Sequence, residues 1–409
     1  MKKEVIDLVN SSEKELENIF RSIDEQCYKN SMKVLNAFHK YNLSESDLNG
    51  TTGYGYNDIG RDKIEQIYSD IFKSEDALVR SQFISGSHAI SVSLQALLRP
   101  NDMMLSITGT PYDTLHEVIG IKDNDSSLKS YGVIYKQIDL RDSKFDYDKI
   151  EKEIKKNKIK LIHIQRSRGY SLRDSIDINS LGNVITFIKN IDSNIIIFVD
   201  NCYCEFVEDI SPIEVNADIA VGSLIKNLGA SEALNGGYAV GRKDLIKLIS
   251  ERLNLPGEGK EVGPSLNTNR SILKGLYLSP IAVSSSLKIA CLTSKTLEKI
   301  GIRTSPLYNE TRCDIVELIY LNNEEKIIKY SQGIQSSGAI DSNVSSIPSP
   351  MPGYDNNIIM SSPSFVQGSS IEISCDAPIR EPYVLYQQGS ITYEYGKIAI
   401  INAISNIIE

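Results

Sequence analysis

The chain has 409 residues, 44 basic and 53 acidic side chains, and a net charge of −9. That acidity argues against nucleic acid as the main partner, because phosphate binding needs a basic footprint, and it leaves room only for a local basic pocket. Hydrophobic residues at 41% and charged residues at 24% are ordinary globular proportions, and at ~150 residues per domain the length suggests two or three domains, or one large α/β domain with an appendage.

Residues 1–45 read as amphipathic helix, with Val5, Leu8 and Val9 followed by Leu16, Ile19 and Phe20 at helical spacing. The first residues turn acidic before a signal-peptide core could form. No run approaches the ~18 apolar residues of a membrane helix. The chain therefore reads as cytoplasmic, with no membrane partner. A polar glycine–tyrosine loop follows over 53–61, and then a short helix over 62–72. From about residue 78 the texture changes. Short apolar runs at 78–85, 103–107, 132–135, 160–165, 194–200, 219–223 and 237–241 alternate with helical segments at 88–98, 113–119, 146–154 and 178–191. Several of the apolar runs lack period-2 alternation, as strands buried on both faces do. The alternation implies an α/β fold with a mostly parallel central sheet covered by helices on both faces. Residues 264–297 read as a long helix. Beyond about residue 305 the pattern predicts a strand over 314–321, a helix over 322–332, a long Ser/Pro/Gly-rich loop over 336–355, a hairpin over 358–374 and a closing helix over 394–408. This is a smaller α+β C-terminal domain.

Three features fall at the C-terminal ends of expected strands, where open α/β sheets bind ligands. The first is the turn Ser85-Gly86-Ser87-His88-Ala89 leading into a helix, whose backbone N–H groups would attract phosphate. The second is Asp200, closing the apolar run Ile196-Ile197-Phe198-Val199. The third is Lys226, a short turn beyond the next strand and three residues after Ser223. A lysine at the mouth of a sheet can be desolvated, its pKa lowered, and become a Schiff-base nucleophile. A glycine turn, a strand-end aspartate and a lysine with Ser at minus three, in that order, is the arrangement of fold type I pyridoxal 5′-phosphate enzymes. Lys226 would carry the cofactor. Asp200 would keep its ring nitrogen protonated. Ser223 and the Gly86-Ser87 turn would hold the phosphate. Tyr112, at the next strand end, would stack on the ring, and a cationic neighbour would lower its pKa.

The segments Gly53-Tyr54-Gly55-Tyr56-Asn57-Asp58-Ile59-Gly60-Arg61, Ser85-Gly86-Ser87-His88-Ala89-Ile90, Gly109-Thr110-Pro111-Tyr112-Asp113, Ile164-Gln165-Arg166-Ser167-Arg168-Gly169-Tyr170, Gly222-Ser223-Leu224-Ile225-Lys226-Asn227 and Ala377-Pro378-Ile379-Arg380-Glu381-Pro382-Tyr383 resemble one bacterial family. It is the methionine γ-lyase-like group also labelled aluminium resistance protein or cystathionine β-lyase-like protein. The resemblance runs from about residue 50 to the C-terminus. It implies a cofactor site of Gly86, Ser87, His88, Tyr112, Asp200, Ser223 and Lys226. It also implies that Tyr56 and Arg61 of a neighbouring subunit bind the cofactor phosphate, so that the active sites lie at the interface of a homodimer or a tetramer of dimers. Arg380 would fork onto the substrate carboxylate, and Gln165 and Arg166 would contact substrate or the cofactor's phenolic oxygen. On this reading residues 1–60 form a helical arm and subunit-contacting loop, 61–280 the cofactor domain and 281–409 the small domain.

The implied reaction is β- or γ-elimination at a carbon–sulfur bond of an amino acid, with Lys226 as general base and Tyr112 as the acid for the leaving group. Aminotransfer, aldol cleavage and β/γ-replacement use the same cofactor geometry and stay open. So does a catalytically altered homologue, because the loop after Lys226 runs Leu228-Gly229-Ala230-Ser231-Glu232-Ala233-Leu234-Asn235 where the family carries proline and a glycine run. The S-x-x-K pattern Ser223–Lys226 also occurs in serine acyl-enzymes, but the K-T-G strand they need is absent. Cys27, Cys202, Cys204, Cys291, Cys313 and Cys375 are too scattered for a disulfide scaffold or a zinc site. His39, His88, His116 and His163 show no ligand spacing, so no metal is expected.

Overall fold

The computed structural model describes residues 1–408. The N-terminal helical stretch is two helices, α1 (Lys3–Glu15) and α2 (Glu17–Lys40), with the break at Leu16. The cofactor-domain elements then follow as α3 (Ile59–Phe72), β1 (Asp76–Arg80), α4 (Gly86–Leu97), β2 (Met103–Ser106), α5 (His116–Ile119), β3 (Ile134–Gln137), α6 (Tyr147–Lys156), β4 (Ile159–Gln165), α7 (Ile178–Ile191), β5 (Ile196–Asp200), β6 (Ile219–Ser223), β7 (Gly237–Gly241) and α8 (Lys243–Leu253). The seven strands lie in the order β1-β7-β6-β5-β4-β2-β3. Strands β6, β5, β4, β2 and β3 run parallel, and β7 is antiparallel to both β6 and β1.

The unbroken apolar runs explain the layering. Along β5, Ile197 and Val199 face a core shared with Ile64 and Ile67 of α3 and with Leu181, Val184 and Ile188 of α7. Ile196 and Phe198 face the opposite core, shared with Ile90 and Leu94 of α4 and Leu245, Ile246 and Ile249 of α8. Both faces are thus covered, which is what a parallel sheet requires. Helix α8 was not expected. Its apolar residues alternate with charged ones, and Leu245, Ile246 and Ile249 pack on α4.

Helix α9 (Asn269–Lys299) joins the two cores. Ile272, Leu276 and Val283 enter the sheet core, whereas Ile289, Leu292 and Leu297 enter a second core. By length and composition α9 could cross a bilayer, but 78% of its most apolar window is buried inside this fold. The remaining elements are β8 (Thr304–Ser305), β9 (Val316–Tyr320), α10 (Glu324–Gln335), β10 (Ile358–Ser361), β11 (Ser374–Pro378), β12 (Val384–Gln388) and α11 (Tyr393–Ile407). The strands form an antiparallel sheet in the order β10-β11-β12-β9-β8. The expected hairpin over 358–374 is one pairing of this sheet, with Ser361 opposite Cys375. A longer connection replaces a tight turn, and β12 pairs on the other side of β11 with Asp376 opposite Tyr386. Val5, Val9 and Leu16 of the N-terminal segment are buried in this same small-domain core.

Candidate active site

The C-terminal ends of β4, β5 and β6 and the start of α4 surround one cavity. Ser87, Tyr112, Gln165, Asp200, Tyr203 and Lys226 are among the residues that line it. The local sequence makes this possible at Gly86. Ser85 caps α4, its Oγ accepting from the His88 N–H at 3.2 Å. A Cβ on Gly86 would stand 3.0 Å from Ser223 Cβ and 3.4 Å from Cys202 Sγ. Glycine therefore lets the end of β6 close onto the helix start, leaving the first N–H groups of α4 beside Ser87 and Ser223. The Ser87 hydroxyl bonds Thr114 at 2.7 Å, and Ser223 Oγ accepts from the Ile225 N–H at 3.3 Å.

Asp200 is the last residue of β5 and only 6% exposed. One carboxylate oxygen accepts from the Cys202 N–H at 3.1 Å. Burial pushes its pKa up, and the Lys226 charge pulls the other way. The Lys226 ammonium stands over the Tyr203 ring, 4.0 Å from its centre. Burial alone would lower its pKa as expected, but Cys202, Tyr203, Asp200 and Glu205 outweigh burial, so the pKa lies above that of ordinary lysine and not below it.

Tyr112 donates its backbone N–H to Gln165 Oε1 at 2.8 Å, and its hydroxyl meets that of Tyr354 at 2.7 Å. Its pKa is not lowered. Burial, reinforced by Tyr354, Tyr203 and Asp376, drives it well up, so Tyr112 is held as the neutral phenol.

The other expected site residues lie outside this cluster. His88 turns its ring back, where Nδ1 accepts from the Ile84 N–H at 3.0 Å. Arg166 is buried, donating to Asn201 at 2.9 Å and to the Ile176 carbonyl at 3.2 Å, and it is ion-paired with Glu208. Arg61 is 3% exposed. Its guanidinium donates to the carbonyls of Gly55 at 2.7 Å and Gly263 at 3.0 Å and pairs with Asp62. Tyr56 is exposed and stacks on Tyr54. Arg380 is exposed on the turn after β11, 3.4 Å from Asn356 Oδ1.

Several groups at the site escaped sequence reasoning. Tyr203 lies three residues beyond Asp200 and lines the cavity. Tyr170 packs 5.7 Å from Tyr112, measured between ring centres, and Tyr354 lies 6.3 Å from Tyr112. Asp376, in the wholly buried strand β11, is pushed up to about 6 by burial, with Tyr170, Gln388 and the Lys226 charge opposing. Glu205 is pushed up to about 7 by burial and accepts from the Tyr238 hydroxyl at 2.8 Å. A carboxylate inside a strand with no other charge was the one signal that could have revealed Asp376.

Residues 5–408 match the family described as methionine gamma-lyase. The chain belongs to the methionine gamma-lyase family. It is 44% identical over 400 residues to the uncharacterized protein YnbB of Bacillus subtilis, covering 97% of this chain and 95% of that one. It is 24% identical over 210 residues to L-methionine gamma-lyase of Pseudomonas deceptionensis, covering 50% and 46% of the two chains. Among solved structures it superposes on the carbon-sulfur lyase involved in aluminum resistance from Clostridium novyi NT with a TM-score of 0.96 and 43% identity, covering 100% and 97%. The pyridoxal-5′-phosphate dependent protein YhfS of Escherichia coli gives a TM-score of 0.62 at 16% identity, covering 94% and 97%, and shares the fold. The fold is that of the fold type I enzymes, and the methionine gamma-lyase family implies pyridoxal 5′-phosphate as cofactor. The cavity fits that group. It offers a primary amine at Lys226, a buried carboxylate at Asp200, and a helix start that a Cβ at Gly86 would crowd.

Proposed function

We propose that this protein is a carbon–sulfur lyase that eliminates a thiol from the β- or γ-carbon of an amino acid, with Lys226 as the residue that carries the cofactor. The observation that supports this most is that Lys226, Asp200 and Tyr112 line one cavity at the strand ends. When bound, the cofactor supplies an electron sink for negative charge at the substrate α-carbon. Asp200 would hold the proton on the ring nitrogen. The start of α4, Ser87 and Ser223 would bind the phosphate. The Tyr112 ring would cover the cofactor face, held in place by its N–H bond to Gln165. Lys226, once free, would take the α-proton as general base. Tyr112 would give its phenolic proton to the departing sulfur, with the Tyr354 hydroxyl beside it as the next group in line. Arg380 would receive the substrate carboxylate. Tyr56 is exposed in the single chain and would complete the phosphate site of a second copy, so the working form would be a homo-oligomer.

The test is chemical. Borohydride reduction of the cofactor-loaded protein, followed by peptide mapping, should place the cofactor on Lys226. Thioether amino acids should release a keto acid and a thiol. Lys226→Ala should lower that release by at least about a thousandfold, since it removes both the attachment point and the general base. Label on another lysine, or full turnover by the alanine variant, would remove Lys226 from the reaction.

A further inference from the structure

A charge buried in a protein needs a partner. Four buried carboxylates here have a cationic one: Glu65 with Arg80 at 2.7 Å, Asp218 with Lys189 at 2.7 Å, Glu317 with Arg312 at 2.6 Å, and Asp47 with Lys63 at 2.6 Å. Asp376 is 8% exposed and, among the described residues, has no cationic side chain in ion-pair reach. One oxygen accepts from Gln388 Nε2 at 2.9 Å. The other is buried and meets only a neutral group, the equally buried Tyr170 hydroxyl.

The direction in which Asp376 looks follows from register. It stands opposite Tyr386 in the β11–β12 pair, so the two side chains share one face, as does Gln388. The Tyr386 ring packs 5.2 Å from Tyr170, and Tyr170 lies 5.7 Å from both Tyr112 and Tyr354, between ring centres. Tyr112 lines the cavity of Lys226. The small sheet thus turns a carboxylate with only neutral partners and a group of phenol rings toward the catalytic pocket. Tilted aromatic faces around a carboxylate are the chemistry that holds a cation.

We propose that Asp376, framed by Tyr112, Tyr170, Tyr354 and Tyr386, is a subsite for a positive charge on the substrate side chain, so that the preferred substrate is a thioether amino acid with an ammonium group beyond its sulfur. The inference rests on the lyase reading above. Burial pushes Asp376 up to about 6, as expected of a carboxylate short of compensation. A neutral side chain of the methionine kind would leave it so. A distal ammonium would supply the cationic partner it lacks.

The test compares S-(2-aminoethyl)-L-cysteine with S-propyl-L-cysteine, which match in shape and differ in a terminal ammonium against a methyl. In the holoenzyme kcat/KM should favour the charged compound by about tenfold or more, a typical effect of one charge-assisted contact. In Asp376→Asn, which keeps the side-chain size but loses the charge, that ratio should fall to about threefold or less. Tyr354→Leu, which opens one wall, should lower the same ratio and serves if the asparagine variant does not fold. Calorimetry with L-lysine and L-norleucine gives a readout without turnover, and L-lysine should bind more tightly in wild type only. Equal kcat/KM for the two thioethers, or a ratio unmoved in Asp376→Asn, would overturn the subsite and leave the lyase intact. No thiol from either thioether or from L-methionine would overturn the lyase reading. The L-lysine to L-norleucine comparison would then decide the subsite by itself.

Discussion

The Lys226 ammonium stands 4.0 Å from the centre of the Tyr203 ring, and Tyr203 reaches that position from a left-handed backbone with φ of 72°. The turn after β5 therefore places a ring beneath the lysine and a carboxylate, Asp200, beside it. A cation–π contact of this kind is worth roughly 0.5–2 kcal/mol. Tyr203→Phe keeps the ring face, whereas Tyr203→Leu removes it. In a spectroscopic titration of the apo-protein with pyridoxal 5′-phosphate, the leucine variant should bind about tenfold more weakly and the phenylalanine variant within about threefold of wild type. Equal affinities for all three would make the contact incidental to cofactor binding.

Gly86 and Gly222 are both crowded, but for different reasons. A Cβ on Gly86 meets Ser223 Cβ at 3.0 Å, at the cofactor cradle. One on Gly222 meets Tyr238 Cε1 at 2.5 Å and Glu205 Oε1 at 2.7 Å, in the core behind the cradle. Gly86→Ala asks for a shift of a few tenths of an ångström, so it should cost the fold about 1 kcal/mol or less and weaken cofactor binding. Gly222→Ala forces a buried ring to move and should cost the fold roughly 1–3 kcal/mol. Denaturation midpoints of the apo-proteins, set beside cofactor titrations, separate the two effects. A Gly86→Ala protein with wild-type cofactor affinity would remove Ser223 and the helix start from the phosphate site.

The buried Arg166 is ion-paired with Glu208, which is partly exposed. Breaking a fully buried pair on one side costs roughly 3–5 kcal/mol, and the cost here is smaller because water reaches Glu208, whereas apolar replacement of both partners is often neutral. Arg166→Met should therefore lower the chemical-denaturation midpoint, and adding Glu208→Leu should restore most of it. A stable Arg166→Met protein with raised KM would instead return Arg166 to a role in substrate binding.

The contrast between Arg166 and Lys226 shows what could be read from the chain. Asp200 closes an apolar strand and Lys226 lies a short turn beyond the next one, and the strand end is where such folds work, so local sequence was enough to nominate them. The parallel sheet was legible for the same reason, since strands buried on both faces are written as uninterrupted apolar runs. Arg166 and Arg61 sit in motifs that look the same whether the guanidinium meets a ligand or the chain's own carbonyls, and only tertiary burial decides. Tyr170, Tyr354 and Asp376 come from three separate segments, one of them the loop over 336–355. Nothing local marks a tyrosine whose ring neighbours come from distant segments of the chain. Strand β12 and helix α8 were missed because a five-residue strand ending in Gln387-Gln388 and a helix whose apolar positions alternate with charged ones give weak periodicity.

His163 gives a prediction that depends on pH. It lies on β4 with its ring stacked on Phe198, 5.8 Å between centres, and both ring nitrogens are buried without a hydrogen-bond partner. Burial, with the Arg173 charge adding to it, pushes its pKa down to about 4, against about 6.5 in an unfolded chain. Below pH 6.5 the unfolded chain takes up a proton that the folded one refuses, so stability falls as pH drops from 6.5 toward 4. Above 6.5 both states are neutral and the group contributes nothing. The penalty at pH 5 is roughly 2 kcal/mol. Replacing the ring with an apolar side chain of similar size breaks no hydrogen bond. His163→Leu should therefore match wild type within about 1 kcal/mol at pH 7.5 and exceed it by roughly 2 kcal/mol at pH 5. Denaturation curves at the two pH values measure the difference directly, and a gap that does not widen in acid would mean that His163 finds a partner for its proton in the folded chain.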